Sequence, residues 1–128
     1  MKLVIGSARF GSSYGISNDH FLDEAASHNI MQHLLTKNYD HIDAALAYGN
    51  SNNIIKSFPK KNLQHIYSKF SYSDSKTITK GIHDCRQALG VDKLEGVYLH
   101  DVNDFIKYKY LAKEIESAKE QKLIKYFG

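Results

Sequence analysis

A chain of 128 residues is one domain's worth of sequence, and with 42% hydrophobic and 24% charged residues it can bury a core, which excludes a disordered chain. The formal charge is only +3, and lysines alternate with acids, as in Lys107, Lys109, Lys113, Glu114, Glu116, Lys119 and Glu120; that pattern is a solvated helix face and excludes a nucleic-acid stripe. A single cysteine, Cys85, excludes an internal disulfide and a cysteine-based metal site, and fits a reduced cytoplasmic setting.

The first element is a strand over residues 2–6, whose apolar stretch is too short for a signal peptide or a membrane span. A helix follows over about 24–37, with Ile30, Met31, Leu34 and Leu35 on its apolar face. Residues 39–43 read as the second strand, although Asp40 and His41 make it polar. A short helix over 51–58 carries Ile54, Ile55 and Phe58 and ends before Pro59. The third strand covers 63–69. After it, Ile78, Ile82, Cys85 and Leu89 form the stripe of a third helix that Gly90 should cap. The fourth strand covers 94–100; Tyr108, Leu111, Ala112, Ile115 and Ala118 line a fourth helix, and 124–127 form a fifth strand.

One proline and no Gly/Ser-rich linker leave a single domain of alternating strands and helices, which predicts a parallel sheet covered by helices, with about five strands and four helices. In such folds the functional groups sit at the carboxyl ends of the strands. Those positions hold Asp43 with Tyr48 in the loop beyond it, then Lys69, then His100. Packing requires none of these residue types there. A phenol is an acid at neutral pH, and a neighbouring ammonium stabilises its anion. A carboxylate can fix that ammonium, and an imidazole can hold a carbonyl oxygen beside the phenol. Together they suit carbonyl reduction, with the hydride coming from a reduced cofactor.

The stretch Asp43-Ala44-Ala45-Leu46-Ala47-Tyr48-Gly49-Asn50-Ser51 resembles the signature of the aldo-keto reductase family. Ile5-Gly6-Ser7-Ala8-Arg9-Phe10-Gly11 with Tyr14-Gly15-Ile16 is similar to that family's first strand and cofactor-facing loop. Ile66-Tyr67-Ser68-Lys69, the run from Leu89 through His100, and Leu123-Ile124-Lys125-Tyr126-Phe127-Gly128 resemble its later strands. The resemblance covers essentially the whole chain and implies (β/α) units of a TIM barrel, with NADP or NAD as cofactor and a small aldehyde or ketone as substrate. It implies Tyr48 as proton donor, Lys69 as the partner that lowers its pKa, Asp43 as counter-ion and nicotinamide contact, and His100 as the group that orients the carbonyl. Gly6, Ser7 and Ala8 would lie against the nicotinamide. Family barrels have eight strands and typically about 250 residues. Residues 1–128 therefore read as a truncated reductase domain whose cofactor binding is incomplete and whose first and fifth strands keep open edges, an invitation to self-association.

Taken singly, each residue has a plainer role: Asp43 as a helix cap, Tyr48 as packing, Lys69 as a surface charge, His100 as a structural histidine. Set jointly at successive strand ends, they favour the reductase. His20, His28, His33, His41, His65 and His83 show no metal-ligand spacing, so no metal is expected, and Cys85 reads as a buried, inert thiol. Arg9 reads either as a contact to substrate or cofactor or as a solvent-facing charge. A flavodoxin-like module, with residues 6–13 cradling a phosphate, is the competing fold. A non-catalytic partner subunit is the competing role.

Overall fold

The computed structural model describes residues 3–13, 21–59, 61 and 63–128, so the expectations for Lys2, Tyr14-Gly15-Ile16 and His20 lie outside the described residues. In chain order the elements are β1 (Val4–Gly6), α1 (Glu24–Thr36), β2 (His41–Asp43), α2 (Ser51–Ser57), β3 (His65–Phe70), α3 (Tyr72–Ser75), α4 (Ile78–Leu89), β4 (Gly96–Leu99), α5 (Val102–Lys107), α6 (Leu111–Glu120) and β5 (Tyr126–Phe127). The expected alternation is present, with two corrections. Six helices stand among the described residues where four were expected, and each strand is shorter at its amino end than its apolar run.

All strands are parallel, in the order β1-β2-β3-β4-β5, each beside the next in sequence. This overturns the flavodoxin-like alternative. That fold places its second strand outside the first and binds its ligand where the order reverses, whereas this sheet has no reversal. Sequential parallel order is that of consecutive barrel units. Among the described residues β1 bonds only to β2 and β5 only to β4, so both outer edges are open.

The core lies on the helix side of the sheet. Ile5, Ile42, Ile66, Phe70 and Val97 are buried there beneath α2, α4 and α6. The α4 stripe is buried throughout, at Ile78, Ile82, Cys85 and Leu89. Local chemistry fixes its ends: Thr77 Oγ1 accepts from Lys80 N at 3.1 Å, and Gly90 closes the helix at φ 62°, a left-handed conformation that glycine reaches without a Cβ penalty. On α1 Asp23 accepts from Ala26 N at 2.8 Å, and Ser27 and Met31 form the buried face. Ile30, expected in that face, is 37% exposed, one position off the stripe. No helix of the described residues is long and apolar enough to cross a membrane.

Candidate active site

β2 ends at Asp43, whose carbonyl oxygen accepts from Ser7 N at 3.0 Å and from Ser7 Oγ at 2.8 Å. The chain then turns under tight backbone control: Ala44 N donates to Tyr67 O at 3.0 Å and Leu46 N to Lys69 O at 2.9 Å. Asn52 Nδ2 donates to Ala45 O at 2.9 Å from inside α2. Ala44 and Ala45 are buried and small, so the turn lies flat on the sheet. Tyr48 emerges half-buried from it, and Gly49 follows at φ 53°. A side chain there would strain the reversal into α2, which gives the Tyr-Gly pair a local physical reason.

Lys69 projects from β3 toward this turn. Its Nζ donates to Asp43 Oδ1 at 2.6 Å and Oδ2 at 2.5 Å, and to the Tyr48 hydroxyl at 3.3 Å, and lies 5.2 Å from the centroid of the Tyr48 ring. Burial pulls the lysine pKa down, but the hydrogen bonds to Asp43 and Tyr48 outweigh it and leave the value raised. The amine is therefore an ammonium throughout the neutral range. His100, just beyond β4, is held by its backbone N on Phe70 O at 2.9 Å, and its exposed ring meets Tyr48 edge-on with centroids 6.3 Å apart. Asp43, Tyr48, Lys69 and His100 thus converge on one rim of the sheet.

The residues expected against a cofactor divide. Gly6 faces an open groove of about 560 Å³ whose walls include Val4, Asp43, Lys69 and the rings of Tyr67, Tyr98 and Tyr126. A Cβ at Gly6 would meet nothing within 4 Å, so the backbone of β1 lies bare beside Asp43, with room for a flat ring. Ser7 is fully buried, and its hydroxyl braces Asp43 instead of facing the groove. Ala8 is half-buried and Arg9 exposed. Cys85 is buried behind the site and its thiol is pushed up to about 11, chiefly by burial.

Tyr67 and Tyr98 were not singled out in the sequence, nor was a cluster of Asp40, His41 and His65 at the other end of the same face. Strand alternation was the available signal. Every second residue of β3 (His65, Tyr67, Lys69) faces away from the core.

A model of the Aldo/keto reductase family matches residues 2–128. No curated protein matches. Among solved structures, the chain is similar to a Pseudomonas aeruginosa protein assigned as an aldo-keto reductase, at 20% identity and a TM-score of 0.70, over 98% of this chain and 53% of that one. The aldo-keto reductase of Bacillus halodurans in its holo form gives 19% identity and a TM-score of 0.70, over 99% and 45%. A thermostable aldo-keto reductase in complex with the inhibitor epalrestat gives 20% and 0.68, over 98% and 47%. The chain spans about half the length of the solved structures it matches.

Proposed function

This chain belongs to the aldo/keto reductase family, and from that premise we propose that it serves the NAD(P)H-dependent reduction of an aldehyde or ketone to an alcohol, with Tyr48 as proton donor. One observation carries the reading: the Lys69 ammonium joins both carboxylate oxygens of Asp43 to the Tyr48 hydroxyl. A phenol that gives up its proton leaves a negative oxygen, and an ammonium within hydrogen-bond reach stabilises that charge as it forms. Asp43 holds the ammonium in place, and Ser7 holds Asp43. The His100 imidazole, beside the Tyr48 ring, would hold the substrate carbonyl oxygen against the phenol, so that the Tyr48 proton passes to that oxygen and solvent restores it.

Gly6, Ala8 and Asp43 would hold the nicotinamide end of the cofactor, where the bare β1 backbone leaves room for a planar ring. A reduced nicotinamide bound there supplies the hydride. The solved structures it matches have about as much chain again, and here the groove is open to water. Turnover by these 128 residues alone should therefore be slow, because water competes for every hydrogen bond of the site.

NADPH oxidation followed with a reactive aldehyde tests the assignment. Tyr48→Phe should cost roughly 10²–10⁴-fold in rate while leaving the thermal midpoint in place. Turnover unchanged by that substitution, or none above the uncatalysed rate, would remove the proposal. Rates of about 10 s⁻¹, ordinary for a complete enzyme, from this chain by itself would instead refute the expected dependence on further structure.

A further inference from the structure

The foot of the sheet, at the amino ends of the strands, carries chemistry that proton transfer at the rim does not use. Asp40 precedes β2, His41 opens β2 and His65 opens β3, and the strand register sets the two histidines side by side. Their rings stack with centroids 4.2 Å apart and 21° between the planes. Both present Nε2 to one carboxylate: His41 Nε2 lies 3.8 Å from Asp40 Oδ1, and His65 Nε2 lies 4.0 Å from Asp40 Oδ2. One ligand atom from each of the three residues lies within 4.8 Å of the others.

We propose that Asp40, His41 and His65 form a binding site for one divalent transition-metal ion of the zinc class, which ties the starts of β2 and β3 together.

Distance, support and access argue for it. Direct charge-assisted hydrogen bonds would close to about 2.7–2.9 Å, and both imidazole–carboxylate distances are far longer. Ligands with zinc bonds of about 2.0–2.2 Å stand roughly 3.4 Å apart around a tetrahedral ion, so each imidazole–carboxylate pair needs to close by about half an ångström, while the two stacked rings must splay apart for their in-plane lone pairs to converge on one ion. The outer nitrogen of His41 is supported as in metal-bound histidines, 3.2 Å from the Tyr67 hydroxyl, and His65 Nδ1 has a carboxylate within ion-pair reach, Glu95 Oε2 at 3.3 Å. The second of these lacks hydrogen-bond angles, so His65 Nδ1 is otherwise a buried orphan. Glu95 is held in turn by Lys125 Nζ at 3.0 Å. With the protons on Nδ1, both Nε2 atoms carry the lone pair that a metal needs, each within 4.0 Å of the Asp40 carboxylate.

The site is also reachable: the side chains of His65 and Asp40 are 30% and 28% exposed, although His41 is only 10% exposed. Two imidazoles and one carboxylate suit zinc-class ions and disfavour magnesium or calcium, which prefer all-oxygen shells. Three protein ligands leave a fourth position for water. His65 and Lys69 are four residues apart on β3, roughly 13 Å, so an ion here acts on architecture and not on the reacting groups.

Calorimetric titration of the chelator-treated chain with Zn²⁺ at neutral pH tests the site, with Co²⁺ as an absorbing substitute. One ion per chain, a higher thermal midpoint with metal, and visible Co²⁺ absorption of a low-symmetry nitrogen and oxygen site are expected. His65→Gln and the volume-preserving Asp40→Asn should each weaken Zn²⁺ by more than about tenfold, and Glu95→Gln, which acts only through His65, by about tenfold. His83→Gln, at an exposed position on α4, should change nothing. Absence of saturable Zn²⁺ binding, or binding that His65→Gln and Asp40→Asn leave intact, overturns the proposal.

Discussion

Along β3 the side chains of Ile66, Ser68 and Phe70 are buried against helices, whereas His65, Tyr67 and Lys69, each one residue away, lie on the opposite face and stay partly exposed, Tyr67 and Lys69 in the groove. The sheet repeats this division at β2, where Ile42 is buried and Asp43 half-exposed. Parallel strands covered on both faces read as near-continuous apolar runs. These alternate, because helices cover only one face. Cohesion and chemistry are thereby segregated to opposite sides of one sheet, so substitutions on the helix side should register as stability and those on the groove side as activity or ligand binding.

The largest test of that contrast is on the helix side. Ile82 is fully buried in the α4 stripe, and Ile82→Ala should cost about 2–5 kcal/mol, as buried isoleucine truncations do, read from the denaturant midpoint. Val4→Ala, on the groove side at 49% exposure, should change stability by less than about 0.5 kcal/mol. Equal losses would dissolve the distinction. A smaller effect comes from excess volume. A Cβ at Gly81 would stand 2.2 Å from Phe70 Cε2, closer than any unstrained contact, so Gly81→Ala should cost about 1–3 kcal/mol despite improved helix propensity. A more stable Gly81→Ala protein would show that α4 is free to move off the sheet.

How far the sequence anticipated this molecule follows the same division. The α4 stripe and its Gly90 cap were legible because both are local: the 3.6-residue period and one left-handed position suffice. The rim was legible because a polar residue closing an apolar run stands out at a strand end, as Lys69 does after Ile66. Helices α3 and α5 were not legible. Each is at most six residues, and tertiary bonds tie them to their neighbours: Asp104 Oδ2 accepts from Tyr72 N at 2.8 Å, and Glu114 accepts from both the Tyr72 hydroxyl and Ile78 N. The foot cluster was missed for a related reason. Sequence spacing reveals ligand pairs that share one helix, whereas His41 and His65 meet only through the register of two strands. Ile30 was misplaced because apolar character alone does not say on which side of a stripe a residue falls.

The smallest effect concerns the ion pair at the rim, where the groove side should contribute little to stability. The Lys69 pKa is raised above the ordinary lysine value of 10.5, because its bonds to Asp43 and Tyr48 outweigh burial. A raised folded-state value means that the pair's contribution is fully present below pH 10.5 and is lost as pH climbs through the raised value. Both side chains are partly wet, at 23% and 30% exposure, so the contribution should be about 1 kcal/mol or less. Lys69→Met should then lie below the parent by a constant, small amount across neutral pH in urea melts, and the two curves should converge only on the alkaline side. Convergence near neutrality would mean that the amine is not an ammonium there, removing the cation on which the proton-donor role of Tyr48 depends. A gap of several kcal/mol would instead make Lys69 a structural residue and place part of the molecule's cohesion on the open face.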